Sequence, residues 1–114
     1  MNILLLDTSS KKIEFAYNKK GVFSILKTLD EDKNADDLVF EIKKEFNGHG
    51  LNFQEISYVG LSNGPGSFTG LRLGSAVAKG ICAGSNAKLT EVSSLDLIAV
   101  KYFFRSMTKK AAKP

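Results

Sequence analysis

Three glycines stand close together in Asn63-Gly64-Pro65-Gly66-Ser67-Phe68-Thr69-Gly70, where an apolar run gives way to a helical one. Backbone N–H groups left over at a helix start, on a loop that glycine lets bend tightly, make a cradle for phosphate or another anion. The same residues also serve a plain tight turn. No Gly-Lys-Ser/Thr follows, which excludes a P-loop, and the spacing Gly64, Gly66, Gly70 misses the dinucleotide fingerprint. A second polar turn, Asp7-Thr8-Ser9-Ser10, ends the first apolar run and offers one carboxylate and three hydroxyls. Carboxylates recur at Asp36, Asp37, Glu41 and Glu45, but with Lys43 and Lys44 among them they read as a solvated helix face, not a metal site. The one histidine, His49, lies in the loop Gly48-His49-Gly50, and the one cysteine, Cys82, in a stretch of small apolar residues. Neither a zinc site, a Cys/His pair nor a disulfide framework can be built from them. No catalytic residue and no metal ligand is assigned.

The elements that must position these residues follow from periodicity. Asn2-Ile3-Leu4-Leu5-Leu6 is a continuous apolar run, the pattern of a central strand covered on both faces. Ile13, Phe15 and Tyr17 alternate with Lys12, Glu14 and Ala16; after Asn18-Lys19-Lys20-Gly21 a second alternating run sets Phe23, Ile25 and Leu29 on one side, and the two make a hairpin. Asn34 caps a helix from about Asp36 to Phe46, with Asp37 three residues on and both aspartates at the positive end of the dipole. Leu38, Val39, Ile42 and Phe46 form its buried stripe, Gly48 stops it, and Phe40 points away with no core role. Ile56 to Leu61 is a further strand feeding the glycine loop and a helix to about Ala83. Lys88 to Val92 is the last strand, and Ser93-Ser94-Leu95-Asp96 opens a helix carrying Leu95, Ile98, Ala99 and Tyr102 on one face. The order βββαβαβα predicts one α/β domain, a mixed sheet with helices packed on it.

The helix after the glycine loop carries a second signal. Leu73, Val77 and Ile81 form a ridge that can pack on a sheet, while Gly70, Gly74 and Ala78 recur along one side and Ala76, Gly80 and Ala83 along another. Each internal glycine disfavours a helix by roughly 1 kcal/mol relative to alanine, so something must approach closely, either the neighbouring helix of the same domain or a helix of another protein.

Composition fits this reading. The chain has 114 residues, 43% of them hydrophobic and 25% charged, the size of one core. No apolar run approaches the roughly 18 residues of a membrane span, and Met1-Asn2-Ile3 enters a strand without a basic leader, which predicts a cytoplasmic protein. The net charge of +4 is concentrated at one end: Lys101, Arg105, Lys109, Lys110 and Lys113 stand without an acid, leaving 11 basic against 12 acidic residues before them. That end, behind Tyr102, Phe103 and Phe104, reads as a solvated tail, with direct contact to RNA phosphates as the competing reading.

The run Gly64-Pro-Gly-Ser-Phe-Thr-Gly-Leu-Arg-Leu-Gly74, set between a strand and Ala78-Lys79-Gly80-Ile81, closely resembles the signature of the TsaB family, also called YeaZ. Asp7-Thr8-Ser9 after the first strand and Glu91-Val-Ser-Ser-Leu-Asp-Leu-Ile-Ala99 belong to the same resemblance, which covers nearly the whole chain. It implies the N-terminal, actin-like lobe of the ASKHA (ribonuclease H-like) fold over residues 1–106, a basic tail over 107–114, and no second lobe of the kind most members carry.

It further implies a non-catalytic subunit that pairs with a TsaD-like catalytic subunit and a TsaE-like ATPase to place threonylcarbamoyl on the adenosine beside the anticodon of tRNA. Transfer RNA would then be met through the complex, the carbamoylated donor would come from a separate enzyme, and no membrane would be involved. Catalytic relatives hold a metal through paired histidines on the first long helix, where this chain has Asn34, Asp37 and Glu41 and no histidine, so neither that metal nor peptidase activity is expected. The expected partner contacts are Phe40, Gly70, Arg72, Gly74, Ala78 and Ile81, and the same surface would serve a homodimer in the partner's absence. Asp7, Thr8, Ser9, Gly64, Gly66, Ser67 and Thr69 are the candidate phosphate-facing residues. ATP and Mg²⁺ are expected only within the complex. The alternative is an ASKHA-type nucleotide-binding phosphohydrolase or phosphotransferase, with Asp7 placing a metal.

Overall fold

The computed structural model describes residues 1–9, 12–29, 33–62 and 68–92. Strand β1 (Asn2–Asp7) is central, with Leu4 and Leu6 fully buried. It pairs antiparallel with β2 (Ile13–Lys19), and β2 pairs antiparallel with β3 (Val22–Leu29). The β2–β3 turn places Lys20 and Gly21 at positive φ, 53° and 87°, the left-handed pair that matches the twist of a tight hairpin. A register shift between Tyr17 and Asn18 marks a bulge that turns Phe23 opposite Asn18, so Phe23 falls off the Ile25–Leu29 side on which strict alternation placed it.

Helix α1 (Ala35–Gly48) starts where the sequence predicts: the Asp37 N–H donates to Asn34 Oδ1 at 2.8 Å. Leu38, Ile42 and Phe46 are buried, Val39 partly so. A 3-10 turn, Phe53–Glu55, then precedes β4 (Tyr58–Ser62), so the expected strand from Ile56 begins two residues later. Ile56 is used instead as a buried plug at the end of that turn. Helix α2 (Phe68–Gly84) and strand β5 (Lys88–Val92) complete the described elements. The helix expected from Ser93 and the basic tail lie outside the described residues.

The strand order is β3-β2-β1-β4-β5, with β1–β4 and β4–β5 parallel. Both parallel crossovers, β3 to β4 through α1 and β4 to β5 through α2, step the same way across the sheet, and right-handedness then places both helices on one face. One core results, joining Leu4, Leu6, Phe15 and Tyr17 of the sheet to Leu38 and Phe46 of α1 and Val77 and Ile81 of α2. It is an α/β lobe with a mixed sheet, as the pattern predicted.

Candidate functional site

The parallel neighbours β1 and β4 end side by side, and the crevice beyond such strand ends is where open α/β sheets bind ligands. Asp7, Thr8 and Ser9 occupy that position, all nearly buried. Their polar atoms are turned on one another. Ser9 donates to Asp7 Oδ1 through its N–H at 2.9 Å and its hydroxyl at 2.5 Å, and the Thr8 hydroxyl donates to the Gly70 carbonyl at 2.5 Å, in the first turn of α2. Gly74, one turn further, receives the Thr8 side chain: a Cβ there would collide with Thr8 Oγ1 and stand 2.8 Å from Leu61 Cδ1. The fold itself therefore demands this glycine. Thr69 is exposed and Ser62, at the end of β4, is buried. Gly64, Gly66 and Ser67 lie outside the described residues.

The Asp7 carboxylate already holds two donors and the Thr8 proton is committed to Gly70, and among the described residues no group of three or more His, Cys, Asp or Glu could hold a metal ion. The α1 carboxylates lie elsewhere than the sequence paired them. Asp36 and Asp37 are exposed, and Glu45 pairs with Lys27 of β3 at 3.6 Å instead of with the helix lysines that the sequence offered.

The outward side of the helix pair is the second candidate. Phe40 is 64% exposed on α1, and Arg72 is exposed near the start of α2, with Gly70 half-buried behind it. Gly74, Ala78 and Ile81, expected on the docking surface, are instead inside: Ala78 and Ile81 belong to the core, and Gly74 is closed by Thr8 and Leu61. The reason is helix phase. The sheet lies under the Gly74–Val77–Ala78–Ile81 side, which turns Ala76, Gly80 and Ala83, the other small-residue line, toward solvent.

Sequence reasoning missed what joins the two helices at their C-terminal ends. There a groove of about 710 Å³ opens, lined by Val39, Phe46, Leu51, Phe53 and Ile81, with Gly80 and Gly84 along its α2 wall. Phe53 stands edge-on to Phe46, and Phe46 packs at 4.6 Å on Tyr17. Gln54 Nε2 donates to the Gly84 carbonyl at 2.8 Å, binding the 3-10 turn to the end of α2. Asn52, whose Oδ1 caps that turn, was the available signal; nothing in the pattern reveals the groove itself.

Two charged features frame this end. Lys19 of β2 bonds Glu55 at 2.6 Å and holds its carboxyl below the usual glutamate range. Tyr17, fully buried, has a hydroxyl without a partner among the described residues, and burial together with the Glu55 charge pushes its ionisation upward. Burial also raises the Cys82 thiol, which leaves it a poor nucleophile.

A family model described as TsaD, tRNA N6-adenosine threonylcarbamoyltransferase, matches residues 28–114. The chain is 26% identical over 103 residues to the tRNA threonylcarbamoyladenosine biosynthesis protein TsaB of Haemophilus influenzae, covering 90% of this chain and 44% of that protein. It is 29% identical to the TsaB of Buchnera aphidicola from Schizaphis graminum, covering 87% of this chain and 47% of that one. The chain thus spans about half the length of the relatives it matches. Among solved structures, YeaZ from Pseudomonas aeruginosa superposes with a TM-score of 0.76 at 22% identity, covering 90% of this chain and 48% of its own. A Bacteroides thetaiotaomicron protein with an actin-like ATPase fold gives 0.57 at 10% identity, covering 87% of this chain and 36% of its own, which extends the likeness in fold alone.

Proposed function

The chain belongs to this tRNA threonylcarbamoyladenosine family, on its TsaB/YeaZ branch, and we propose that it acts in forming N6-threonylcarbamoyladenosine as a non-catalytic subunit that docks on a TsaD-like enzyme. The observation that carries this reading is Phe40, a large aromatic left 64% exposed on α1, while Ala76, Gly80 and Ala83 of α2 are exposed as well. Anchors of that kind, set among small residues that let helices approach, are what a helix-on-helix interface uses. Arg72, exposed near the start of α2, stands on the same open side of the chain. The absence of histidine from Ala35–Gly48 fits a subunit that leaves the metal to its partner. The TsaE-like ATPase and tRNA then meet this chain only through the complex, and in the partner's absence the same face forms a homodimer.

Light scattering on a sizing column, with the chain alone and mixed with the TsaD-like protein of the same organism, tests the reading. A new one-to-one peak is expected, and Phe40→Ala should weaken it. Two independent peaks would overturn the docking role.

One observation favours a second reading, a nucleotide-binding phosphohydrolase: Asp7, Thr8 and Ser9 stand at the ends of parallel strands, where the fold places anions. Calorimetry with Mg-ATP separates the two. No heat of binding is expected from this chain, because Asp7 Oδ1 and the Thr8 hydroxyl already have partners within it, and micromolar binding would promote the enzyme.

A further inference from the structure

Asparagine followed by glycine is the dipeptide whose main chain most readily attacks its own side chain, because glycine sets no Cβ in the way of the ring that closes. The sequence holds it at Asn47-Gly48 and at Asn63-Gly64, and the second pair lies outside the described residues. Asn47 differs from most other asparagines in what holds it. Asn34 Oδ1 caps α1 and Asn52 Oδ1 caps the 3-10 turn, while Asn18 Oδ1 accepts from Gly21 and Asn2 Oδ1 from Lys20. The Asn47 carboxamide makes no hydrogen bond among the described residues, and Asn47 and Gly48 are both exposed. Nothing stands within 4 Å of where a Gly48 Cβ would be. Asn86 is free as well, but Ala87 follows it, with its N–H held by the Ser85 carbonyl at 2.6 Å.

The backbone at Gly48 is weakly held. Gly48 is the last residue of α1, the His49 N–H is divided among the carbonyls of Glu45, Phe46 and Asn47, and Gly50 runs at φ 66°. A helix end closed by shared bonds opens at little cost, and opening releases the Gly48 N–H from α1.

We propose that Asn47-Gly48 is a site of spontaneous modification, at which the folded chain turns Asn47 into aspartate and isoaspartate. The Gly48 nitrogen gives its proton to water and attacks Asn47 Cγ; the new C–N bond closes a succinimide as the Cγ–Nδ2 bond breaks, and the leaving nitrogen takes a proton and departs as ammonia. One water then opens the ring, at Cγ to give aspartate or at the main-chain carbonyl to give isoaspartate. Either product sets a carboxylate at the negative end of α1, in the wall of the groove, where the helix dipole disfavours it. Isoaspartate also lengthens the main chain by one carbon and moves the carbonyl that now receives the Gly50 N–H at 3.1 Å, in the turn that brings the Leu51 N–H to Phe46 at 2.8 Å.

The folded 114-residue chain is held at mildly alkaline pH for days and read by peptide-mapping mass spectrometry, with isoaspartyl methyltransferase and labelled S-adenosylmethionine as the probe for isoaspartate. Conversion at Asn47 is expected while Asn34, Asn52 and Asn86 stay amides. Gly48→Ala should slow it at least about tenfold, in buffer and in urea alike, which separates ring closure from any gain in helix stability. Asn47→Asp should melt a few degrees below the wild type. An Asn47 that converts in urea but stays an amide in the folded chain overturns the proposal, since α1 then protects its own end. An undiminished rate in Gly48→Ala overturns the succinimide route, and an unchanged melting temperature in Asn47→Asp overturns the cost assigned to the new charge.

Discussion

Single residues here divide into those the fold requires and those it leaves open, and Gly74 is the clearest of the first kind. Substituting alanine forces a Cβ onto Thr8 Oγ1 and Leu61 Cδ1, so a chain that should gain helix propensity loses packing. We expect Gly74→Ala to cost about 1–3 kcal/mol in urea unfolding, and a Thr8→Ser background, which removes a methyl but keeps the hydroxyl, to leave most of that cost in place. A neutral Gly74→Ala would show that the Thr8 contact is not tight. Tyr17 is the opposite case. Its hydroxyl is buried near Phe46 without a hydrogen-bond partner among the described residues, a desolvation cost that none of them returns. Tyr17→Phe should be neutral or stabilising by up to about 1 kcal/mol. It should also abolish the extra loss of stability that the wild type shows as pH rises beyond 10: the raised ionisation of Tyr17 means the folded state keeps its proton while the unfolded chain releases it. A destabilised Tyr17→Phe would mean that a bridging group holds the hydroxyl after all.

Elements were more legible than sites, for a physical reason visible in particular residues. The Asn34 cap, the Leu38–Ile42–Phe46 stripe and the alternation of Ile13, Phe15 and Tyr17 are each local signals, decided within a few residues, and each stands in the structure as the sequence indicated. Asn34→Ala should accordingly lose about 1 kcal/mol. Which side of α2 would meet the sheet was not local. Its glycine and alanine lines are nearly equivalent as sequence, and only the position of Thr8, just past β1, and of Leu61 on β4 chooses between Gly74 and Gly80. The groove was illegible for the same reason, being assembled from α1, the 3-10 turn and α2, whose approach no periodicity encodes. The tie between that turn and the sheet predicts a pH dependence. Lys19 lowers the Glu55 ionisation beneath its ordinary 4.5, so its contribution is present above that pH and fades as pH falls through the depressed folded value. Glu55→Gln should therefore differ from the wild type at neutral pH and converge with it in strong acid, as read by thermal unfolding across that range.

At the scale of the whole molecule, the charge distribution bears on whether the chain could hold a nucleic acid by itself. Residues 1–100 are nearly balanced, and the described surface shows cations and acids interspersed, with Lys19 and Lys27 neutralised by Glu55 and Glu45. A duplex-tracking protein needs a continuous basic face, because counterion release from phosphates supplies most of the affinity. Such a face is not formed by the two helices: α1 carries Asp36 and Asp37 in its first turn, and α2 has only Arg72 and Lys79 as charges. The cations in excess are those of the C-terminal segment, Lys109, Lys110 and Lys113 among them. If docking on a catalytic partner is the chain's role, the isolated chain should retain no tRNA at about 0.15 M salt, and deleting residues 107–114 should leave both that result and the partner affinity unchanged. Filter binding from about 0.05 to 0.2 M salt checks it. Steep salt-dependent retention, with a slope that falls by about two to three when the three lysines are removed, would transfer recognition of tRNA to this chain's own tail, since each phosphate neutralised contributes roughly 0.7–0.9 to that slope. Retention only after the TsaD-like protein is added would agree with the docking role proposed above, since the balanced body of this chain offers phosphates no continuous basic face.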